Sequence, residues 1–368
     1  MTRSFIHDGR RISYVNIYAI PRGAGPEPFL EFITARESGF EGIACIDDTA
    51  RAAILALQVY ERQGSPAALR LAHDWLSFVT YMQQPDGRFV NFILDEHGVK
   101  NLPGRTSYVG GRWWTARAMW ALATAWRITG DSDYLHAFQR GQLAPTRDLK
   151  IKAVYALALM EIYQRQPDDG LGRRICALCD AIVASATGPG GQGYFRDGND
   201  REATAMWGYH QLQAVARAAR LFSRIDYTAA CEQTVRTLVE PVVAGGFYHV
   251  YPTQQEHQCA YDVSTLVLGL EELYRATRKP AYRELALRCA SWLDGNNAAG
   301  ETIYNLRMGR CLDGITNRIA SLNCGAESAI EAGFIALARQ GLRERRGRQS
   351  QRLAMAATAS MAVSALLL

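Results

Sequence analysis

Asp47 and Asp48 stand side by side in the stretch EGIACIDDTARAAILAL, where an apolar run begins. Paired carboxylates at such a place have two readings. They cap backbone N–H groups and complement the positive end of a helix dipole, or one of them moves a proton in a reaction. Four further acids stand at or near the heads of similar runs: Asp148 in DLKIKAVYALALMEIYQR, Glu202 in EATAMWGYHQLQAVARAARLF, Asp262 in YDVSTLVLGLEELYRAT and Glu327 in GAESAIEAGFIALARQG. Each alone reads as a cap. Together they suit hydrolysis of a sugar, which needs a protonated carboxyl at the leaving oxygen and a carboxylate as base or nucleophile, ~5–9.5 Å apart. Asp47 or Asp48 facing Asp262 or Glu327 across a barrel is the pairing expected.

Trp113, Trp114, Trp207, Phe247 and Tyr251 offer flat apolar faces for the C–H surface of a pyranose, and Tyr261 stands beside Asp262. Arg88, Arg112 and His210 are candidates to bind hydroxyls or a uronate carboxylate. The alternative role for all of these is packing of loops.

The elements that must position these groups are helical. Six Ala/Leu-rich segments, apolar nearly all round, include the four runs above together with DDTARAAILALQVYERQ and RWWTARAMWALATAWRITG. Between them lie amphipathic segments such as SPAALRLAHDWLSFVTYMQQ and KPAYRELALRCASWLDG, apolar at i, i+3, i+4 and i+7. A helix apolar on all sides is enclosed on all sides. Six enclosed helices ringed by amphipathic ones predict an all-α, single (α/α)6 barrel, or toroid, over residues 31–340. Parallel inner helices then gather their N-termini on one rim. DGRFVNFIL, GQGYFRDG and GGFYHVYP read as short β-hairpin loops on that rim, residues 1–30 as a less regular lead-in, and 341–368 as a basic, then apolar tail.

Bulk properties exclude several classes. The net charge of +5 is concentrated in the arginine-rich run at 341–352, so no nucleic-acid face is expected. The sixteen mostly apolar residues at Leu353–Leu368 span only ~24 Å as a helix, short of a ~30 Å hydrocarbon core. Packing on the body is favoured over membrane contact. No apolar leader stands at the start, and eight cysteines are too sparse for a disulfide scaffold, so a reduced, cytoplasmic protein is expected. Cys176 and Cys179 have CxxC spacing without a second pair and read as buried helix cysteines. Cys259, Cys311, Cys324, His210, His249 and His257 lack the spacing of a zinc set. No metal and no cofactor are expected; no phosphate-binding glycine loop follows a strand.

CIDDTARAA, PDGRFVNFI, GRWWTARAMWALA and NCGAESAIEA, in this order, resemble a group of six-hairpin proteins associated with bacterial carbohydrate metabolism. The layout is more distantly similar to the six-hairpin glycosidase superfamily, which includes unsaturated glucuronyl hydrolases and acylglucosamine epimerases. The resemblance implies a carbohydrate-active toroid acting on a small-molecule or oligosaccharide substrate. Hydrolysis is preferred to epimerisation because rim acids outnumber rim histidines. CIDDTA also resembles the D-x-D-D-T-A motif of class II terpenoid cyclases, with Cys45 replacing the first Asp. That resemblance implies Asp47 as a proton donor to an alkene or epoxide. A toroid that holds a glycan without turnover is the third reading.

Overall fold

The computed structural model describes residues 2–22, 29–32, 41–187, 192–198, 203–247, 249–252, 257–305 and 309–344. Glu202 and the apolar tail, both singled out above, lie outside the described residues. The helices are α1 (Ile46–Gln63), α2 (Pro66–Tyr81), α3 (Arg112–Thr129), α4 (Ser132–Arg140), α5 (Leu149–Arg165), α6 (Asp169–Thr187), α7 (Gln211–Leu221), α8 (Ile225–Thr234), α9 (Glu240–Ala244), α10 (Ala260–Thr277), α11 (Pro280–Ala290) and α12 (Ala326–Glu344). A π-helical turn at Val235–Val239 joins α8 to α9.

The order of packing closes a ring. α1 packs on α3, α3 on α5, α5 on α7, α7 on α10, α10 on α12, and α12 back on α1. α2, α4, α6, α8 and α11 lie outside, each against the inner helix that precedes it. This is an (α/α)6 toroid, and burial follows the sequence pattern. Every residue of α3 from Trp114 to Trp126 is buried, whereas outer α4 buries only Ala137. The ring is tight because small residues face their neighbours. A Cβ on Gly333 of α12 would lie 2.5 Å from Leu55 of α1, and one on Gly269 of α10 would lie 2.9 Å from Leu212 of α7.

Short strands fasten the inner helices at their N-terminal ends. Ala44–Cys45 pairs with Phe92–Ile93 just before α1, and Cys324–Gly325 pairs with Tyr18–Arg22 just before α12. His257–Gln258 joins Ile315–Thr316 and Ile319–Ala320 ahead of α10. Of the rim pieces, DGRFVNFIL pairs with Ala44–Cys45 and also turns back on itself through an Ile93–Lys100 bridge, Val250–Tyr251 pairs with the distant Thr204–Ala205, and the described part of GQGYFRDG, residues 192–198, holds no strand.

Two further expectations change. The lead-in is regular: Thr2–His7 and Arg10–Val15 form an antiparallel hairpin, and its second strand packs on α2. The fourth inner helix starts at Gln211, well after the start expected near 202. Gly208, with φ of 65°, interrupts the helical path there. All eight cysteines are free thiols, and Cys176 and Cys179 lie on α6. Among the described residues no helix is long and apolar enough to cross a membrane.

Candidate active site

The first turn of α1 is not capped by its aspartates. The Asp48 N–H donates to Cys45 Sγ at 3.4 Å, and the Asp47 N–H donates to Asn91 Oδ1 at 3.4 Å. Both carboxylates are left to make other contacts. Asp148 is different: its Oδ1 accepts from the N–H groups of Lys150 and Ile151, so it is a plain cap of α5.

Arg51, one turn along α1, is where the acids meet. Its Nη2 lies 2.7 Å from Asp48 Oδ1 and 3.3 Å from Asp47 Oδ2, and its Nη1 lies 2.9 Å from Glu327 Oε1 and 2.7 Å from Glu331 Oε1. Ser264 Oγ donates to Glu331 Oε2. Asp47, Asp48 and Glu327 each bring an oxygen within 4.8 Å of the others. The three could present oxygens to a metal ion, but the guanidinium among them already supplies positive charge. Glu327 comes from the helix beside α1 and not from across the barrel, because ring closure makes the first and last inner helices neighbours.

Exposure and electrostatics divide the acids. The Glu331 side chain is 2% exposed and Glu327 27%. Burial pushes Glu327 up to about 7; Arg51 opposes the shift, and the charges of Asp48 and Asp47 add to it. Burial raises Asp48 to about 6 against the pull of Arg51. Glu327 Oε1 also accepts from Trp207 Nε1 at 2.9 Å, while its Oε2 makes no hydrogen bond among the described residues.

Asp47 faces the bore. Its Oδ1 lies 3.2 Å from Arg117 Nε, and its Oδ2 accepts from Trp113 Nε1 at 3.3 Å. Arg117 is buried, and its Nη1 lies 3.0 Å from His210 Nε2 on the far side of the ring. Arginine only donates, so Nε2 accepts, and Nδ1–H then donates to Gln213 Oε1 at 2.7 Å. Burial, then Arg117, holds His210 well below the ordinary histidine pKa, as a neutral ring. The sequence offers His210 to hydroxyls or a uronate carboxylate; in the structure both of its ring nitrogens are engaged by Arg117 and Gln213.

Trp113 and Trp207 are half-buried, with ring centroids 4.7 Å apart and planes at 35°. The chain can bring them so close because Gly208 has no side chain; a Cβ there would lie 2.6 Å from Trp113. Trp114 points elsewhere, its Nε1 donating to the Phe89 carbonyl at 3.1 Å. Phe247 is buried in the core, and Tyr251 packs edge-on against Tyr194 at 5.8 Å. Arg88 is exposed and paired with Asp86 at 2.7 Å, and Arg112 is exposed at the start of α3.

Asp262 lies outside the acid cluster. Its two oxygens sit 3.0 and 2.9 Å from His249 Nδ1, and Tyr261 lies beside that histidine at 6.3 Å between centroids. The hydrogen bond raises the His249 pKa; burial draws Asp262 up towards about 6 against it. Arg51, Arg117, Glu331 and His249 were not among the expected site residues. The i, i+3 and i, i+4 spacing of opposite charges in DDTAR carried a legible signal for Arg51; Glu331 stands one turn after Glu327, and its cation comes from another helix.

No protein-family model matches the chain, and no curated protein matches it by sequence. Solved structures do match by shape. A sugar epimerase from a ruminal bacterium superposes with a TM-score of 0.62 at 12% identity, covering 83% of this chain and 89% of that one. A cellobiose 2-epimerase from Bacillus thermoamylovorans gives 0.64 at 10%, covering 82% and 88%. An α-1,6-mannanase from Salegentibacter sp. gives 0.56 at 11%, covering 82% and 91%; it is an inactive variant with two consecutive aspartates changed to asparagine, in complex with α-1,6-mannotriose. The chain shares the toroid fold of these enzymes.

Proposed function

We propose that the chain is a carbohydrate-active enzyme and, within that class, a glycoside hydrolase. The observation that carries this is Glu327 and Asp47 sharing Arg51 beside the Trp113–Trp207 pair. Glu327, raised to about 7, is protonated in a large share of molecules at neutral pH, where an ordinary glutamate is almost wholly ionised, and its Oε2 is free to carry the proton. Asp47, facing two guanidiniums and an indole N–H, is placed as the nucleophile.

In the proposed reaction the proton passes from Glu327 to the glycosidic oxygen as the C1–O bond breaks. An Asp47 oxygen forms a bond to C1. A water then gives its proton to Glu327 and attacks C1, releasing Asp47. Oxygens within 4.8 Å are nearer the ~5–5.5 Å of retaining pairs than the ~6.5–9.5 Å of inverting ones, so retention at the anomeric carbon is expected. The mannanase inactivated at two consecutive aspartates is a parallel in the same fold for the weight placed on Asp47 and Asp48.

The test is release of reducing sugar from a panel of glycosides by the wild type, Glu327→Gln and Asp47→Asn, with the anomer followed by NMR. Each variant is expected to lose at least ~100-fold in kcat. Full activity in both would sink the assignment. Epimerisation is the second reading, favoured by the His249–Asp262 pair, in which a buried carboxylate orients an imidazole whose Nε2 is left for substrate. A product of unchanged mass that depends on His249 would replace hydrolysis with that reading. The cyclase reading suits this site poorly, since it needs a protonated acid in a dry apolar pocket and Asp47 sits between two arginines. Binding of glycans without any turnover would support the non-catalytic toroid.

A further inference from the structure

Two cations on the rim have no place in hydrolysis of a neutral sugar. Lys150 lies in the first turn of α5 and is 7% exposed. Its Nζ donates to the Trp207 carbonyl at 2.7 Å, and no carboxylate comes within ion-pair distance among the described residues. Asp197, Asp148 and Asp262 act on it only from farther away. Arg112 is the first residue of α3, exposed and without a hydrogen bond or ion pair among the described residues. Helix starts disfavour cations and favour anions, so both residues stand where the local field opposes them, on two adjacent inner helices.

Lys150 also stands beside the tryptophan pair: its Nζ lies 5.8 Å from the centre of the Trp207 ring, and Arg112 adjoins Trp113 in sequence. An ammonium has three donors, and a buried one with a single acceptor is costly. An anionic group from a ligand would complete its bonding and meet the positive ends of α3 and α5.

We propose that the sugar held on Trp113 and Trp207 carries a negatively charged substituent, a carboxylate or a sulfate ester, that bonds Lys150 Nζ, with Arg112 as a second, more exposed cation. This rests on the reading of the rim as a sugar site, though not on hydrolysis. A neutral hydroxyl accepting from Lys150 is the rival, and the measurement separates them.

Calorimetry would compare methyl glycosides of the gluco, galacto and manno series as matched neutral, uronate and 6-sulfate forms, with wild type, Lys150→Met, Lys150→Arg and Arg112→Gln. In one series an anionic form is expected to bind roughly ten- to a hundredfold more tightly than its neutral partner. The tighter of uronate and sulfate identifies the substituent. Lys150→Met should abolish the preference, Lys150→Arg should keep part of it, and Arg112→Gln should weaken it less than Lys150→Met. Thermal melts establish that Lys150→Met is folded. Equal binding of neutral and anionic forms, no binding of any anionic form, or an undiminished preference in folded Lys150→Met would overturn the proposal. A preference without hydrolysis of any glycoside would leave it standing and remove the hydrolase reading. Hydrolysis of neutral glycosides without a preference would do the reverse.

Discussion

Arg51 Nη1 lies 2.7 Å from Glu331 Oε1, with both side chains 2% exposed, and this contact ties the first inner helix to the last. It stands where the toroid closes and beside the candidate catalytic acids, so it serves stability and geometry together. Removing one partner of a buried ion network leaves the others uncompensated, typically at about 3–5 kcal/mol. Arg51→Met is therefore expected to lower the urea midpoint substantially. Arg51→Lys should recover only part of the loss, because a point charge cannot present the two prongs that reach four carboxylates. A midpoint within error of the wild type in Arg51→Met would contradict this account.

The raised acids fix the sign of two pH effects. As a general acid Glu327 must be protonated, so kcat/KM is expected to fall as pH rises through about 7, a limb that Glu327→Gln lacks. Stability follows the same direction. A carboxyl raised by burial holds its proton more tightly folded than unfolded. Its contribution is fully present below the unfolded value of 4.5 and is lost as pH rises through about 7. Urea titrations between those limits should show a shallower decline in Glu327→Gln than in the wild type. An unchanged slope would mean that Glu327 is not held protonated by the fold.

The toroid was legible because its inner helices are apolar on every face and its outer ones are not. That pattern survives without distances. The rim acids were legible as first-turn residues, but their partners were not. Trp113 and Trp114 are adjacent and point ~100° apart on a helix, and only tertiary contacts decide which turns to the bore. Glu327 was expected opposite Asp47 because sequence separation carries no ring position. His249 reaches Asp262 from a loop segment, outside any helical spacing rule. The late start of α7 depended on the left-handed turn at Gly208, which a helical composition conceals.

His210 is expected to act by holding Arg117, without touching substrate. His210→Leu removes the acceptor for Arg117 Nη1 and the donor to Gln213 Oε1, leaving buried groups unsatisfied at about 1–3 kcal/mol. Asp47 then loses the fixed position of its Arg117 neighbour. The variant should fold with a lowered melting temperature and a kcat reduced more than KM is raised. Because the ring is neutral in the wild type, the pH limb near 7 should remain where it was. A rise in KM alone, with kcat intact, would return His210 to a substrate-binding role.

Gly208 offers a test of the tryptophan platform that substitutes no polar site residue. Its φ of 65° costs a side-chain-bearing residue about 1–2 kcal/mol, and the added Cβ would lie 2.6 Å from the edge of Trp113. In Gly208→Ala the Trp113 ring must move, and its approach to Trp207 at 4.7 Å is lost. The near-ultraviolet dichroism of the indole pair should weaken, and Glu327 should lose a well-placed Trp207 N–H as the loop shifts. With less support from Trp207 and a disrupted stacking face, sugar affinity is expected to fall along with kcat, while the melting temperature drops by only a few degrees. An unchanged dichroism spectrum together with unchanged sugar binding would show that the two rings do not act as one surface.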